Sequence, residues 1–530
     1  MAGSTGSAAP RPSGPVYRTF NRSLDWIWGY LEKRIGISRW PLRPQPAFSF
    51  RPAYWTGAFV AVGFILQAIT GMLLLIYYDP SAAAVSTGGP PAAWSSTQYI
   101  IQRVPFGWML LTFHLYGAYA TIFLACLHYF RGFYVGAYKS PREFSWFFGI
   151  ALMICMLSMG FTGYILPYTS LSVGATDVGL LLVSSATPIG PVIAPFLEGD
   201  GTYQGLLSRL FALHVAVIPI IIVVLLWLHV TLFETHGIAP PASSDPKARR
   251  TLTHDDDRRL GNWFPGIFLY GAKWALLYIG ILLFIVAAWP VSLAPAFGSA
   301  GQGGVSPEPD WYYLWLYKLA DFKGVTPLIA MAILGFIALG SLFLPWLDQL
   351  PGWFSRRLRN PRTHPRDRPV MLFAATFLFS FFVLMTVWGG VMPSSVIPMQ
   401  MYASYLGALG VFDALLVFTF WWPYHVRYAA RQARVAPAPR PAPVVPAPRA
   451  DPGPAPESFW NGRLAATILV SFGLLVPLGY ILTLPSYTAE GPQRGLAVAL
   501  AVMSLSLALV VQLIERAVQA GPPTAATTAN

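Results

Sequence analysis

The chain has 530 residues, of which 55% are hydrophobic and 11% charged, with a mean hydropathy of +0.52. A soluble domain carries about a quarter charged residues, so this composition excludes one and points to a polytopic membrane protein. The formal net charge of +13 is explained by topology, not by nucleic acid, because the basic residues gather in alternate loops.

Residues 1–52 read as a cytoplasmic tail. The first 15 are small, polar and Pro-rich, without a cleavable leader, and read as disordered. The stretch SLDWIWGYLEKRIGI (23–37) reads as an amphipathic helix on the membrane surface. Ten apolar runs then reach the roughly 20 residues a span requires. They lie near 54–78, 110–133, 145–166, 211–234, 266–289, 325–346, 371–390, 402–422, 464–484 and 494–514. With the N-terminus inside, the inner loops and tails hold 29 of the 35 Lys and Arg. The positive-inside rule therefore places the N-terminus in the cytoplasm.

The runs divide the chain into a four-span part (53–235), a cytoplasmic loop (236–263) and four further spans (264–424). A Pro/Ala-rich linker (425–461), extended and semi-rigid, leads to a two-span extension and tail (462–530). Cys126 and Cys155 are mid-helix, and no CxxC or CxxCH occurs. Disulfide frameworks, covalent haem attachment through CxxCH and cysteine-held iron–sulfur centres are thereby excluded.

The informative residues are histidines inside apolar runs. His114 and His128 are fourteen apart on the second span; His214 and His229 are fifteen apart on the fourth. At 100° per residue the first pair lies about 40° apart and ~21 Å apart along the helix, the second about 60° and ~22 Å. Both spans run outside to inside, so His114 and His214 share an outer level, His128 and His229 an inner one. Intramembrane ionisable groups are expensive and mark function. Zinc would want four ligands at one depth, whereas two imidazoles at each of two depths fit two stacked bis-histidine haems. Gly57 and Gly71 on the first span and Gly149 and Gly163 on the third repeat the fourteen-residue period. They offer positions without side chains where a flat macrocycle could press on backbone. The expected fold is an all-α polytopic membrane protein: a four-helix haem-binding bundle, four further spans and a two-span C-terminal extension.

Over roughly residues 25–425 the sequence resembles cytochrome b, the membrane core of quinol:cytochrome c (bc-type) complexes. The resemblance rests on QAITG (67–71), the four histidines, KSPREFSW (139–146), GFTGYILPY (160–168), GATDVG (174–179), PIG (188–190) and PDWYYLWLY (309–317). The fifteen-residue gap is similar to chloroplast-type relatives, the single continuous chain to the mitochondrial type.

The resemblance implies two non-covalent haems b, the outer held by His114 and His214 and the inner by His128 and His229, with Arg131 near the inner one. It also implies an outer quinol-oxidation site around Pro309, Asp310, Trp311 and Tyr312, with Tyr317 and Gly174 beside it. There Asp310, where relatives carry Glu, takes a proton from quinol; in relatives that exchange accompanies menaquinol. Read alone, Asp310 is first of all a helix cap.

Two departures stand out. Leu111 occupies the position of a family Arg near a haem propionate, with Arg103 a candidate substitute. Trp55 replaces the cysteine that holds an extra haem in chloroplast-type relatives. Toward the inner side, Glu234, His236 and HDDD (254–257) are candidates to deliver protons to quinone.

The implied activity is quinol oxidation outside. One electron goes to a Rieske-type iron–sulfur subunit, the other across the membrane to quinone. A c-type cytochrome subunit, a homodimeric complex, surrounding lipid and the plasma membrane of a prokaryote complete the expectation. The alternatives are a di-haem b anchor of a quinone-linked dehydrogenase or hydrogenase, with four or five spans and no outer Pro-Asp-Trp-Tyr segment, and a transporter with internal repeats. The two spans after the linker lie outside the resemblance and are expected to pack on a partner subunit or lipid.

Overall fold

The computed structural model describes residues 45–46, 49–239, 260–261, 267–299, 307–349, 368–391, 398–423, 427 and 491–520. The expected surface helix at 23–37, the linker, the span at 464–484 and the HDDD stretch lie outside them.

The described residues are almost entirely helical. A two-residue antiparallel pair joins β1 (Gln45–Pro46) to β2 (Leu260–Gly261). In chain order come α1 (Thr56–Leu75), α2 (Ala92–Gln102), α3 (Gly107–Val135), α4 (Glu143–Tyr164), α5 (Ser170–Ser185), α6 (Gly190–Glu198) and α7 (Tyr203–Ala212). A π-turn, Leu213–Val217, runs on into α8 (Ile218–His236). Then follow α9 (Phe268–Ala288), α10 (Trp311–Ala320), α11 (Pro327–Leu342), α12 (Leu344–Leu347), α13 (Pro369–Val391), α14 (Met399–Leu415) and, after a second π-turn at Leu416–Trp421, α15 (Gly491–Ala520).

Hydrocarbon offers no hydrogen bonds, so an apolar run must satisfy its backbone internally, and a helix does so. Six helices among the described residues are long and apolar enough to span: α1, α3, α4, the continuous Tyr203–His236, α9 and α13. The protein is an all-α polytopic membrane protein. Two expected spans change helix type or restart within the run. The run at 325–346 stops at Leu342 and restarts at Leu344, with Pro345 in the new first turn. The run at 402–422 changes to a π-turn at Leu416.

Local chemistry fixes several ends. Gly136 closes α3 with a φ of 65°, and its N–H reaches the carbonyls of Gly132 and Phe133; glycine takes that left-handed conformation without strain. Thr169 and Ser172 form a reciprocal capping box on α5. Thr326 caps α11 just ahead of Pro327.

The fold has two compact units. The larger, residues 51–256 and 290–436, contains all four spans of the histidine part together with α10 to α14. Here α1 packs along α3 and α4 along α8. The first pair closes so tightly that a Cβ on Gly63 would sit 2.3 Å from Thr121 Oγ1. Ile122, Ala125, Met156, Ile218, Ile222 and Tyr312 form one buried cluster, so the helix after Pro309 is packed into the histidine-bearing helices. Between spans, Asp348 accepts from Lys139 at 3.0 Å and Arg368 at 3.3 Å. Tyr138 donates to the same carboxylate and accepts from Arg368. Burial lowers the proton affinity of Lys139, and Asp348 opposes that shift.

The smaller unit brings α9 and α15 together. A Cβ on Gly280 would meet Leu505 at 2.7 Å, and Ser504 Oγ donates to the Leu276 carbonyl at 2.7 Å. The last expected span packs on a helix of its own chain: the small residues Ala497, Ala501 and Ala508, buried in the structure, allow an intrachain contact that hydropathy does not reveal.

Candidate functional site

The four histidines meet in two pairs. The His114 and His214 ring centroids lie 6.4 Å apart, those of His128 and His229 6.5 Å apart, with interplanar angles of 76° and 77°. Two imidazoles on opposite sides of one first-row metal ion, with bonds of roughly 2.0–2.1 Å, stand about 6.3 Å apart by centroid. Among the described residues no three of His, Cys, Asp and Glu converge as a metal cluster. Among the described residues each level offers two imidazoles and no further ligand, a donor set that would fit a macrocycle carrying its own nitrogens.

The ring nitrogens are oriented for that role. His229 Nδ1 is 2.8 Å from the Ser145 carbonyl and His214 Nδ1 is 3.1 Å from the Met159 carbonyl. A carbonyl only accepts, so both rings carry hydrogen on Nδ1 and leave the Nε2 lone pair free. His114 Nδ1 is 2.8 Å from Thr70 Oγ1, whose own proton goes to the Leu66 carbonyl at 2.8 Å. Thr70 is thus an acceptor, and the tautomer is again fixed. Thr56 Oγ1 stands 3.0 Å from His128 Nδ1, and Thr162 Oγ1 3.2 Å from His214 Nδ1.

The four period-14 glycines sit against these rings. A Cβ on Gly71 would lie 3.2 Å from His114 Cε1, on Gly57 2.9 Å from His128 Cε1, on Gly149 3.2 Å from His229 Cε1 and on Gly163 2.5 Å from His214 Cε1. The contact is with imidazole itself, a refinement of the expected role against a macrocycle. Three of these glycines follow a threonine, at 56–57, 70–71 and 162–163. Each threonine is the one bonded to the ring. Sequence reasoning noted the glycines and missed the threonines.

The unequal spacing also resolves. His214 lies within the π-turn Leu213–Val217. A π-turn accommodates one more residue than an α-turn, so a fifteen-residue interval acts like fourteen. Taking up that residue turns the expected offset back by about 100°, to match that of α3. Pro219, without an N–H, lies at the start of the α-helix that follows.

Asp310 is the first residue before α10, yet its side chain makes no capping bond. It turns to two phenols instead: Tyr312 donates to Oδ2 at 2.8 Å, and Tyr119, from α3, makes a short bond to Oδ1. Burial raises the Asp310 pKa above the ordinary carboxylate range, while the two phenol bonds oppose that shift. Burial and the adjacent carboxylate push the Tyr312 phenol well above its usual value, so it remains a donor. A small pocket opens here, lined by Gly160, Phe161, Tyr164, Ala175, Thr176, Pro309, Asp310, Tyr312 and Tyr313. Tyr119 is the other participant that sequence reasoning missed; an aromatic residue in an apolar span carries no signal of its own.

The remaining candidates fall around these centres. Gly174 gives room to Pro307, 3.1 Å from a built Cβ, so it supports the segment ahead of Asp310. Trp311 and Tyr317 are not among the pocket-lining residues; Trp311 packs into the cluster around Tyr312. Arg131 stacks its guanidinium over the Tyr54 ring at 4.2 Å. Arg103 is exposed at the end of α2, and Leu111 is half-buried. His236 and the two following residues lend their carbonyls to Arg142.

Residues 119–296 match the family described as Cytochrome b(N-terminal)/b6/petB. The chain is 33% identical over 419 residues to the cytochrome b of Sulfolobus acidocaldarius, covering 74% of this chain and 70% of that one. It is 33% identical over 229 residues to the menaquinol:cytochrome c reductase cytochrome b subunit of Geobacillus thermodenitrificans, 42% of this chain and 99% of that one. A solved structure described as a hyperthermophilic respiratory Complex III is similar at a TM-score of 0.56 and 25% identity, over 75% of this chain and 96% of the other. With paired intramembrane histidines at two depths and a half-buried carboxylate in a pocket beside them, the chain belongs to the cytochrome b family, as the cytochrome b of a multi-subunit bc-type complex.

Proposed function

We propose that the chain is the di-haem electron-transfer subunit that oxidises quinol, of the menaquinol class, on the outer side of a prokaryotic plasma membrane. One electron passes to a Rieske-type iron–sulfur subunit and the other across the membrane to quinone, within a homodimeric complex that includes a c-type cytochrome. The observation that carries this reading is the pocket at Asp310, where a half-buried carboxylate without a capping bond is held by phenols. Aspartate at this position and the name of the Geobacillus relative support menaquinol.

Held by His114 with His214 and by His128 with His229, haem b would supply one-electron redox chemistry at two depths. The chain's own residues do the rest. Thr70, Thr56 and the carbonyls of Met159 and Ser145 hold the Nδ1 hydrogens, which orients each ring. Phe161 and Tyr164 give the pocket flat walls for a quinol ring. Asp310 accepts the hydroxyl proton at Oδ2 as Tyr312 swings its hydrogen aside, and low water access keeps the carboxylate basic.

The direct test is Asp310→Asn in the intact complex. Quinol oxidation should fall by about a hundredfold or more with both b-type spectral components present; normal turnover would reduce Asp310 to a structural residue. The acid limb of the wild-type rate reports the same group. Protonated Asp310 cannot accept, so the rate rises with pH through its ionisation. Because burial raises that ionisation, the limb lies above the range of a solvated carboxylate.

A further inference from the structure

We propose that Tyr119 is a positioning residue of the quinol pocket: its hydroxyl, carried on the helix of His114, holds Asp310 Oδ1 and keeps the carboxylate turned into the pocket as proton acceptor. The inference rests on the quinol-oxidation reading above and adds to it a residue from a different part of the chain.

Asp310 has two places to go. A short acidic side chain just ahead of a helix ordinarily turns back onto the free N–H groups of the first turn. Asp310 makes no such bond. Tyr312, two residues away, travels with the same turn and cannot by itself choose between the two orientations. Tyr119 can, because it reaches Asp310 across 191 positions of sequence, from α3. Its ring is braced against Tyr312 at 6.2 Å and Tyr116 at 6.1 Å, centroid to centroid, so its hydroxyl presents a fixed donor.

The neighbouring phenols are committed elsewhere. Tyr313 donates to the Leu157 carbonyl at 2.7 Å and Tyr164 to the Glu308 carbonyl at 2.9 Å. Burial and the bonds from Tyr119 and Tyr312 act on Asp310, and no cation among the described residues does. Glu308 acts on Tyr164, not on Asp310. With no positive charge to hold the ionised form, the number of donors sets how readily the carboxylate ionises. Tyr119 supplies one of two.

The test is Tyr119→Phe in the full complex, which keeps the ring contacts and removes the hydroxyl. Both b-type components should remain. Losing a donor to the charged form raises the Asp310 ionisation, so the acid limb of quinol oxidation should move up by about one pH unit. The rate near neutrality should fall about tenfold. The infrared carboxyl band that Asp310→Asn removes should shift in the Phe protein. Placing a ring-fluorinated tyrosine at 119 provides an isosteric second probe: a stronger donor should move the limb to lower pH.

An acid limb and carboxyl band unmoved in both proteins would overturn the role of Tyr119, whatever the rate. That failure differs from failure of the quinol reading. If Asp310→Asn oxidised quinol normally, the pocket itself would lose its function. If Asp310→Asn were inactive while the Tyr119 variants kept the wild-type limb, only the positioning role would fall.

Discussion

An imidazole that binds metal through Nε2 needs a fixed acceptor for its other hydrogen, and the four histidines obtain theirs from two kinds of residue. His214 and His229 use backbone carbonyls at 3.1 and 2.8 Å, which side-chain substitution cannot remove. His114 uses Thr70, which substitution can. Thr70→Val keeps the shape of the side chain and deletes the acceptor, leaving a buried N–H without its partner. The imidazole then donates less electron density to a metal, so the His114/His214 component should rise in midpoint potential on the order of tens of millivolts, with the His128/His229 component unmoved. A potentiometric titration that found both components shifted equally would assign the effect to general loosening instead. The histidines themselves were readable because charge and polarity are rare in spans; threonine is common there and returns its hydroxyl to its own helix, so Thr56 and Thr70 carried no comparable signal. The repeated Thr-Gly pairs were the trace available. Asp310 was readable with its function ambiguous, since a cap and a proton acceptor look alike in sequence; the absent capping bond and the bond from Tyr119 separate them.

At the scale of elements, one residue of extra spacing had no meaning until the π-turn at Leu213–Val217 was seen. Arithmetic at 100° per residue treats every turn alike, and a π-turn breaks that rule locally. Similar ring separations at the two levels, 6.4 and 6.5 Å, show that α3, without such a turn, and the α7–α8 helix, with one, reach the same geometry. An asymmetry follows. Deleting Val215 should convert the π-turn to α-helix and leave the fourteen-residue spacing that α3 already uses, so both spectral components should survive. Deleting Ala118 from α3 has no extra residue to draw on and rotates one histidine by about 100° relative to the other, so one component should vanish. Equal loss from both deletions in reduced-minus-oxidised spectra would mean the π-turn is not what reconciles the spacings. The runs at 325–346 and 402–422 change character inside the span, at a proline restart and at a π-turn, because hydropathy counts apolar residues and does not see either.

For the molecule as a whole, the open matter is what the C-terminal helix contributes. Residues Ala497, Ala501, Ser504 and Ala508 are all buried, and their spacing of four, three and four places them on one face of α15. Leu505 meets Gly280 and Ser504 meets the Leu276 carbonyl on α9. In lipid no hydrophobic force drives helices together, so a stripe of small residues that permits close approach is the attraction available. Gly280→Leu should disrupt it, because a Cβ there already lies 2.7 Å from Leu505 and 3.1 Å from the Ala501 carbonyl. Overpacking of this kind costs about 1–3 kcal/mol. A Leu276→Cys, Ser504→Cys pair should cross-link readily in the parent and poorly once Gly280→Leu is added. Neither helix carries any of the four paired histidines, so both haem components and most quinol oxidation should persist in the Gly280→Leu protein, and in a chain ending after residue 440. Cross-linking undiminished by the leucine would show that α15 is held by something other than this stripe. Loss of the haem spectrum from a folded, truncated chain would show instead that haem binding requires this helix.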